Sequence, residues 1–327
     1  MTRSDPKYRD YNLLLPLEMA PQRFGEWSDE QLLREQDDVT PTTPLFHYTG
    51  RDALEGILTN RHLRCFSHAQ QDDKEEFQYS LGIARVELER AATHGEEFGK
   101  EFAICVTDLI NQNVLTSKFK FYLFSVSQKR DSELQWKQYG RDSTGFSIGF
   151  APKLFLPDKL TLSPTANENA HVGRVVYADS KTRYRHRKLI ERAAEIAHQV
   201  AAANLAMLRR ESVHVDYINA MAKEYIARQL IWRCLTAKRS CWEHQSEIRF
   251  IVMNLPKKFD DLEKSHGGRR YITYALPLAD PGSIVEIMIG SAAPSDAEPW
   301  LRQSLNDLGY SAAPLTRSVK SLVPCVY

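Results

Sequence analysis

The chain lacks the signatures of several large enzyme classes. It has no Walker loop and no GxGxxG, and the glycines of YGRDSTGFSIGF do not stand in the strand–loop–helix order that cradles a phosphate. Nucleotide-triphosphate chemistry is therefore set aside. No HExxH motif and no Cys/His pairing at zinc spacing occurs. The five cysteines (Cys65, Cys105, Cys234, Cys241 and Cys325) are scattered and form no CxxC pair. That usage points to reduced thiols in a cytoplasmic protein and excludes a disulfide framework. No apolar run approaches membrane-spanning length. The opening MTRSDPKYRDYNLLLP has an apolar core of only three residues, too short for a signal peptide. A dominant charge is also missing. The formal net charge of +1 argues against a general binder of nucleic acid or membrane surfaces, and leaves local patches open. Internal repeats and low-complexity segments are absent.

What is present reads as an ordinary core-forming chain. Its 327 residues, 43% hydrophobic and 26% charged, suffice for one large domain or two modest ones. Residues 1–43 look peripheral, with SDEQLLREQ as a lead helix capped by Ser28 and Gln31 in the capping-box arrangement, followed by the helix-breaking TPTTP. LFHYT reads as a strand, ALEGILTN as a helix capped by Asp52, and HLRCFS as a second strand. QQDDKEEFQYSLGIARVELERAA reads as an acidic-headed helix. FKFYLFSVS (119–127), GFSIGF (145–150) and RVVYAD (174–179) follow as strands, with DSELQWKQYG as a short helix among them. Lys181 to Arg228 is patterned for long helices. SEIRFIVMN, RRYITYAL and IVEIMIGS give three more strands, SDAEPWLRQSLNDLGY a helix ended by Gly309, and the tail another strand. The expectation is an α+β fold: an extension over 1–43, then a single domain over 44–327 with a helical insertion at 181–230.

Five groups of residues are candidates for chemistry. His62, His68, Asp72 and Asp73 lie close in sequence, but acidic residues opening a helix serve its dipole more often than a metal, so no metal is assigned. KTRYRHRKLIER is the one dense basic run. Its bland reading is a solvated helix face; its functional reading is phosphate contact through Arg185 and Lys188. His47 follows Leu45 by two and would point with it toward a core. Gln135, Trp136 and Tyr139 share a helical turn, with the two rings either in the core or forming a stacking platform. In CWEHQSEIRFIVMN, period-two spacing would put Gln245, Glu247 and Arg249 on one strand face. A buried carboxylate and guanidinium there must pair with each other, with a neighbour such as Lys238, or with a ligand.

The order FHYTG…LEGILTNRHLR, DDKEEF, FSVSQKRDSELQWKQYG…GFSIGF, WEHQSEIRF and terminal KSLVP resembles the uncharacterised bacterial family called domain of unknown function 2971. The chain departs from that pattern at VTDL (106–109), where a serine-rich strand is expected, and at DDKEEF, which lacks a preceding asparagine. More distantly, an early His-x-Thr strand, a helix carrying GIL, an aromatic middle element and a late Gln-x-Glu strand are similar to the ADP-ribosyltransferase superfamily. That resemblance implies a split mixed or antiparallel sheet and NAD as substrate. It implies NAD-binding roles for His47, Tyr48 and Thr49, with Arg249 at the pyrophosphate or beside the glutamate. Ser125 of FSVS, or Tyr139 with Trp136, would hold the nicotinamide side. Glu247 would contact the nicotinamide ribose and Gln245 would help select the acceptor. By the same resemblance the protein would be a transferase acting on NAD, as a bacterial toxin or phage-defence effector. An RNA-directed relative akin to RNA 2′-phosphotransferases, or a non-catalytic binding module whose HYT and Trp-Tyr elements line its core, are the other readings.

Overall fold

The computed structural model describes residues 21–32, 34, 42–70, 75–115, 119–155, 170–202, 211–254 and 260–320. Its chain divides into two compact units. One gathers residues 1–35, 73–119 and 176–240; the other gathers 36–72, 120–175 and 241–327.

Among the described residues the second unit carries ten strands: β1 (Leu45–Thr49), β2 (His62–Ser67), β3 (Lys120–Ser127), β4 (Phe146–Phe150), β5 (Ala170–Arg174), β6 (Glu247–Asn254), β7 (Lys264–His266), β8 (Arg269–Ala275), β9 (Ile284–Ile289) and β10 (Leu315–Arg317). The sheet order is β10-β9-β4-β1-β3-β2-β8-β7, with β6 also on β3 and β5 on β6. All pairings are antiparallel except β9 with β10. The α+β class with a mixed sheet thus matches the sequence pattern.

The sheet forks at β3. One edge of β3 carries β6 along its whole length. The other edge is shared: β2 pairs at Leu123 and Tyr122, while β1 pairs at Ser127. Ser125 falls in the gap between them.

Alternation sorts the side chains onto two faces, because directly opposed residues project the same way. One face carries Leu45, Phe124, Val126, Ile148, Ile248, Phe250, Tyr274 and Ile287, and forms the main apolar core. Helix Arg51–Asn60 adds Leu54, Ile57 and Leu58 to that core, and helix Ala297–Asp307 adds Leu301 and Leu305. The opposite face bears Phe46, Tyr48 and Met288, which pack on Trp136 of the short helix Glu133–Gln138.

The first unit is helical. Segments Glu75–His94, Glu97–Asn111, Asp179–Ala202 and Glu211–Tyr225 are α-helices, and a π-helical turn at Ile226–Leu230 leads into Ile231–Leu235. Segment 181–230, expected as an insertion, is helical where described and groups in this unit with helices from 75–111.

Several local expectations need correction. Ser28 is no N-cap: residues 21–32 are already helical, and buried Ser28 accepts Gln229 Nε2 at 2.8 Å. The second helix starts one residue before Asp52, which sits in its first turn behind Gly50. The strand expected at 174–179 lies earlier, because Asp179 already opens the long helix and Val176 makes only an isolated bridge to Ala237. VTDL lies in helix Glu97–Asn111. Asp72, Asp73 and most of KSLVP lie outside the described residues.

Candidate functional site

β3 and β6 meet in full register, with Ser125 opposite Arg249 and Ser127 opposite Glu247. These four side chains therefore share a face, and it is the Phe46/Tyr48 face. Glu247 is 5% exposed and Arg249 1% exposed. A carboxylate and a guanidinium so far from water need partners, and each supplies the other's. Arg249 Nε donates to Glu247 Oε1 at 2.8 Å and Nη2 to Oε2 at 3.3 Å. The Ser125 hydroxyl donates to the same Oε1. The carboxylate is thus held from the neighbouring strand and from its own. Lys238, the other partner considered, pairs instead with Glu76 at 3.3 Å.

Gln245 reaches the site by another route than period-two spacing. It ends a 3-10 turn over Ser240–Gln245, and Ser246 turns the chain into β6 with a left-handed φ of 44°. The kink is tied down by Gln128 N–H donating to the Ser246 carbonyl at 3.0 Å. The Gln245 carbonyl accepts from Ser127 Oγ at 2.7 Å and Gln135 Nε2 at 3.3 Å. Its side-chain Nε2 donates to Gln138 Oε1 and Tyr139 Oη, both at 3.1 Å. Tyr139 stays 45% exposed, so an aromatic ring at the surface is anchored to a buried amide.

Trp136 and Tyr139 do not form one platform. Trp136 is fully buried, edge-on to Tyr48 at 4.9 Å, and donates through Nε1 to Asp131 at 2.6 Å. Tyr48 is likewise in the core: its hydroxyl donates to the Lys129 carbonyl at 2.8 Å and accepts from Ser132 N–H at 3.0 Å. Both residues belong to the support of the site, because burial leaves their rings no free face.

His47 is where the expected arrangement changes most. With Leu45 and Thr49 it alternates away from Phe46, so its side chain lies on the apolar-core face, 4.5 Å from the Phe124 ring. It does not face Glu247. The two meet through Ser125, which gives its carbonyl to His47 Nδ1 at 3.1 Å and its hydroxyl to Glu247. A carbonyl only accepts, so Nδ1 carries the proton and Nε2 is the lone-pair nitrogen. Burial lowers the pKa of His47 to about 4, against the raising effect of the Ser125 carbonyl, so the ring is neutral. In effect the ring fills the backbone gap where the sheet forks. Buried Thr49, on the same face, lies opposite Phe146.

Two contributors carried weak sequence signals. Gln138, which receives the Gln245 amide, lies one turn from Gln135 and was legible only as a helical neighbour. His68 follows β2, and burial and then the charge of Arg249 lower its pKa to about 4. Its ring is therefore neutral and stands 5.7 Å from that of Phe121. Among the described residues no group of three or more His, Cys, Asp or Glu side chains is arranged to hold a metal.

Of the basic run, Arg185 is turned inward. Its Nη1 and Nη2 donate to the carbonyl and hydroxyl of Thr236 at 3.0 and 2.9 Å, closing the end of helix Ile231–Leu235. Lys188 is exposed, 5.9 Å from the Tyr184 ring.

Residues 135–250 match the family model described as Protein of unknown function (DUF2971). The matched segment contains QWKQYG, GFSIGF and WEHQSEIRF, and so Tyr139, Gln245, Glu247 and Arg249. FHYTG and KSLVP fall outside it. No curated protein and no solved structure matches the chain. Among the described residues no helix is long and apolar enough to cross a membrane.

Proposed function

We propose that the protein consumes NAD by ADP-ribosyl transfer, with Glu247 as the catalytic carboxylate. The supporting observation is that Glu247 is held by the Ser125 hydroxyl and the Arg249 guanidinium on the face where Gln245 and exposed Tyr139 also meet. Breaking the bond from ribose C1′ to the nicotinamide nitrogen sends the electron pair to nicotinamide and leaves positive charge on the ribose ring. A fixed carboxylate accepting a hydrogen bond from the ribose 2′-hydroxyl stabilises that charge without reorganising. The acceptor then bonds to C1′ and releases its proton. Tyr139 supplies the ring for the nicotinamide side, and Gln245 holds that ring in place. His47 positions Ser125 from the opposite face, on which Thr49 also lies, and neither is assigned to NAD contact.

The test is release of nicotinamide, and transfer of label from NAD to lysate components, by the full-length protein. Glu247→Gln should lower turnover by about 10²–10³. That variant leaves Arg249 facing a neutral amide, so Glu247→Asp serves as the second: it retains the charge and withdraws it by one methylene. A folded Glu247→Asp protein with wild-type turnover, or a wild type that releases no nicotinamide, overturns the proposal. The latter result would favour a purely structural ion pair, the reading supported by the burial of both partners.

A further inference from the structure

The helix Asp179–Ala202 has a phase that the run KTRYRHRK alone does not reveal. Thr182, His186, Leu189 and Ala193 are buried, and Arg185 is spent on Thr236. Lys181, Arg183, Tyr184, Arg187 and Lys188 are left on the outer side. Arg183 and Arg187 converge with Arg90 of helix Glu75–His94 on a single buried carboxylate, Glu87, at 2.9 to 3.1 Å. Three guanidinium groups thus share one acid, and each keeps 39% to 42% of its side-chain surface in solvent. One further acid, Glu191, meets Arg90 at 2.8 Å, and the cluster stays cationic on a chain of nearly balanced charge.

Beside this cluster Tyr184 is 60% exposed, with the Lys188 ammonium 5.9 Å from its ring centroid. The Tyr184 ring, with the Lys188 ammonium over it, presents an aromatic surface directly among those charges. Arginines one turn apart, about 6 Å of helical rise, offer successive anion contacts. An exposed ring next to them offers a base its π-face. A duplex hides its bases from a ring on a convex helix; a single strand does not.

We propose that this face of the helical unit binds single-stranded nucleic acid, with Arg90, Arg183, Arg187 and Lys188 meeting phosphates and Tyr184 stacking on a base. The proposal does not rest on NAD chemistry. It is tested by fluorescence anisotropy of a labelled oligouridylate titrated with the full-length protein over a range of salt. Binding should weaken linearly on a log–log salt plot. Tyr184→Ala should weaken it about tenfold, while Tyr184→Phe, which keeps the ring, should bind as wild type. Lys188→Glu should reduce the salt slope by about 1. Neither residue holds Glu87, so the circular dichroism of both variants should match the wild type. Absence of binding at low salt overturns the proposal, as does wild-type affinity in both Tyr184→Ala and Lys188→Glu. Displacement of the oligonucleotide by polyglutamate as readily as by unlabelled RNA also overturns it, in favour of an acidic-protein surface.

Discussion

At the scale of single residues the site turns on Glu247 and Arg249, two buried charges with one strand position between them. Such a pair is weak evidence for stability in itself, yet removing one partner strands the other. Arg249→Met should therefore cost about 3–5 kcal/mol in urea unfolding. The double variant Glu247→Gln/Arg249→Met should recover much of that loss, because neither charge remains. Equal stability of the single and double variants would show that the pair is not the source of the cost. Tyr139 and Trp136, three apart in sequence, illustrate what residue type cannot disclose. Which of two aromatic side chains is covered depends on Tyr48, and Tyr48 arrives from a strand some ninety positions earlier.

At the scale of elements the fork of the sheet decides what each strand presents. LFHYT was legible as a strand from composition, and so was its alternation. The face each alternate took was not, since that depends on the register Phe46–Ser127 with a strand far along the chain. Strands β1, β4 and β9 also pack closely at the turn 141–145. A Cβ on Gly290 would stand 2.0 Å from the Ser143 carbonyl oxygen, and one on Gly145 would stand 2.3 Å from that of Thr49. Backbone cannot yield as a side-chain tip does. Gly290→Ala should therefore destabilise the protein by about 1–3 kcal/mol or more. A calorimetric melt as high as that of the wild type would contradict this packing.

At the scale of the whole molecule both units bury neutral histidines. Burial lowers His186 to about 3, with Arg185 and Arg233 adding to the effect, and His47 and His68 stand at about 4. Each folded value lies below the unfolded 6.5, so the unfolded chain binds protons that the folded one refuses. Stability is then complete above about pH 6.5 and falls as the pH drops toward 4, by about 1.4 kcal/mol per pH unit for each histidine fully engaged. Partial exposure of His47 and His68 reduces their share. Glu87 acts in the same direction at lower pH. Its burial raises its pKa, but the bonds from Arg187, Arg183 and Arg90 outweigh this and hold it below the usual value, so its contribution is lost as acid protonates it. Urea unfolding measured from pH 7.5 to 4.5 should show this decline, and a flat profile would contradict buried neutral histidines.

By itself the sequence determined most element types, though not the helix Glu97–Asn111 or the bounds of β5, and with them the α+β class and the identity of the polar residues that needed partners. It did so because hydrophobic periodicity and turn chemistry are local properties. Tertiary structure decided which of those residues meet. It joined Glu247 to Ser125 and Arg249, sent His47 to the other face, and turned Arg185 inward while leaving Tyr184 out. Strand register and helix phase set these outcomes, and both are fixed by contacts between distant segments.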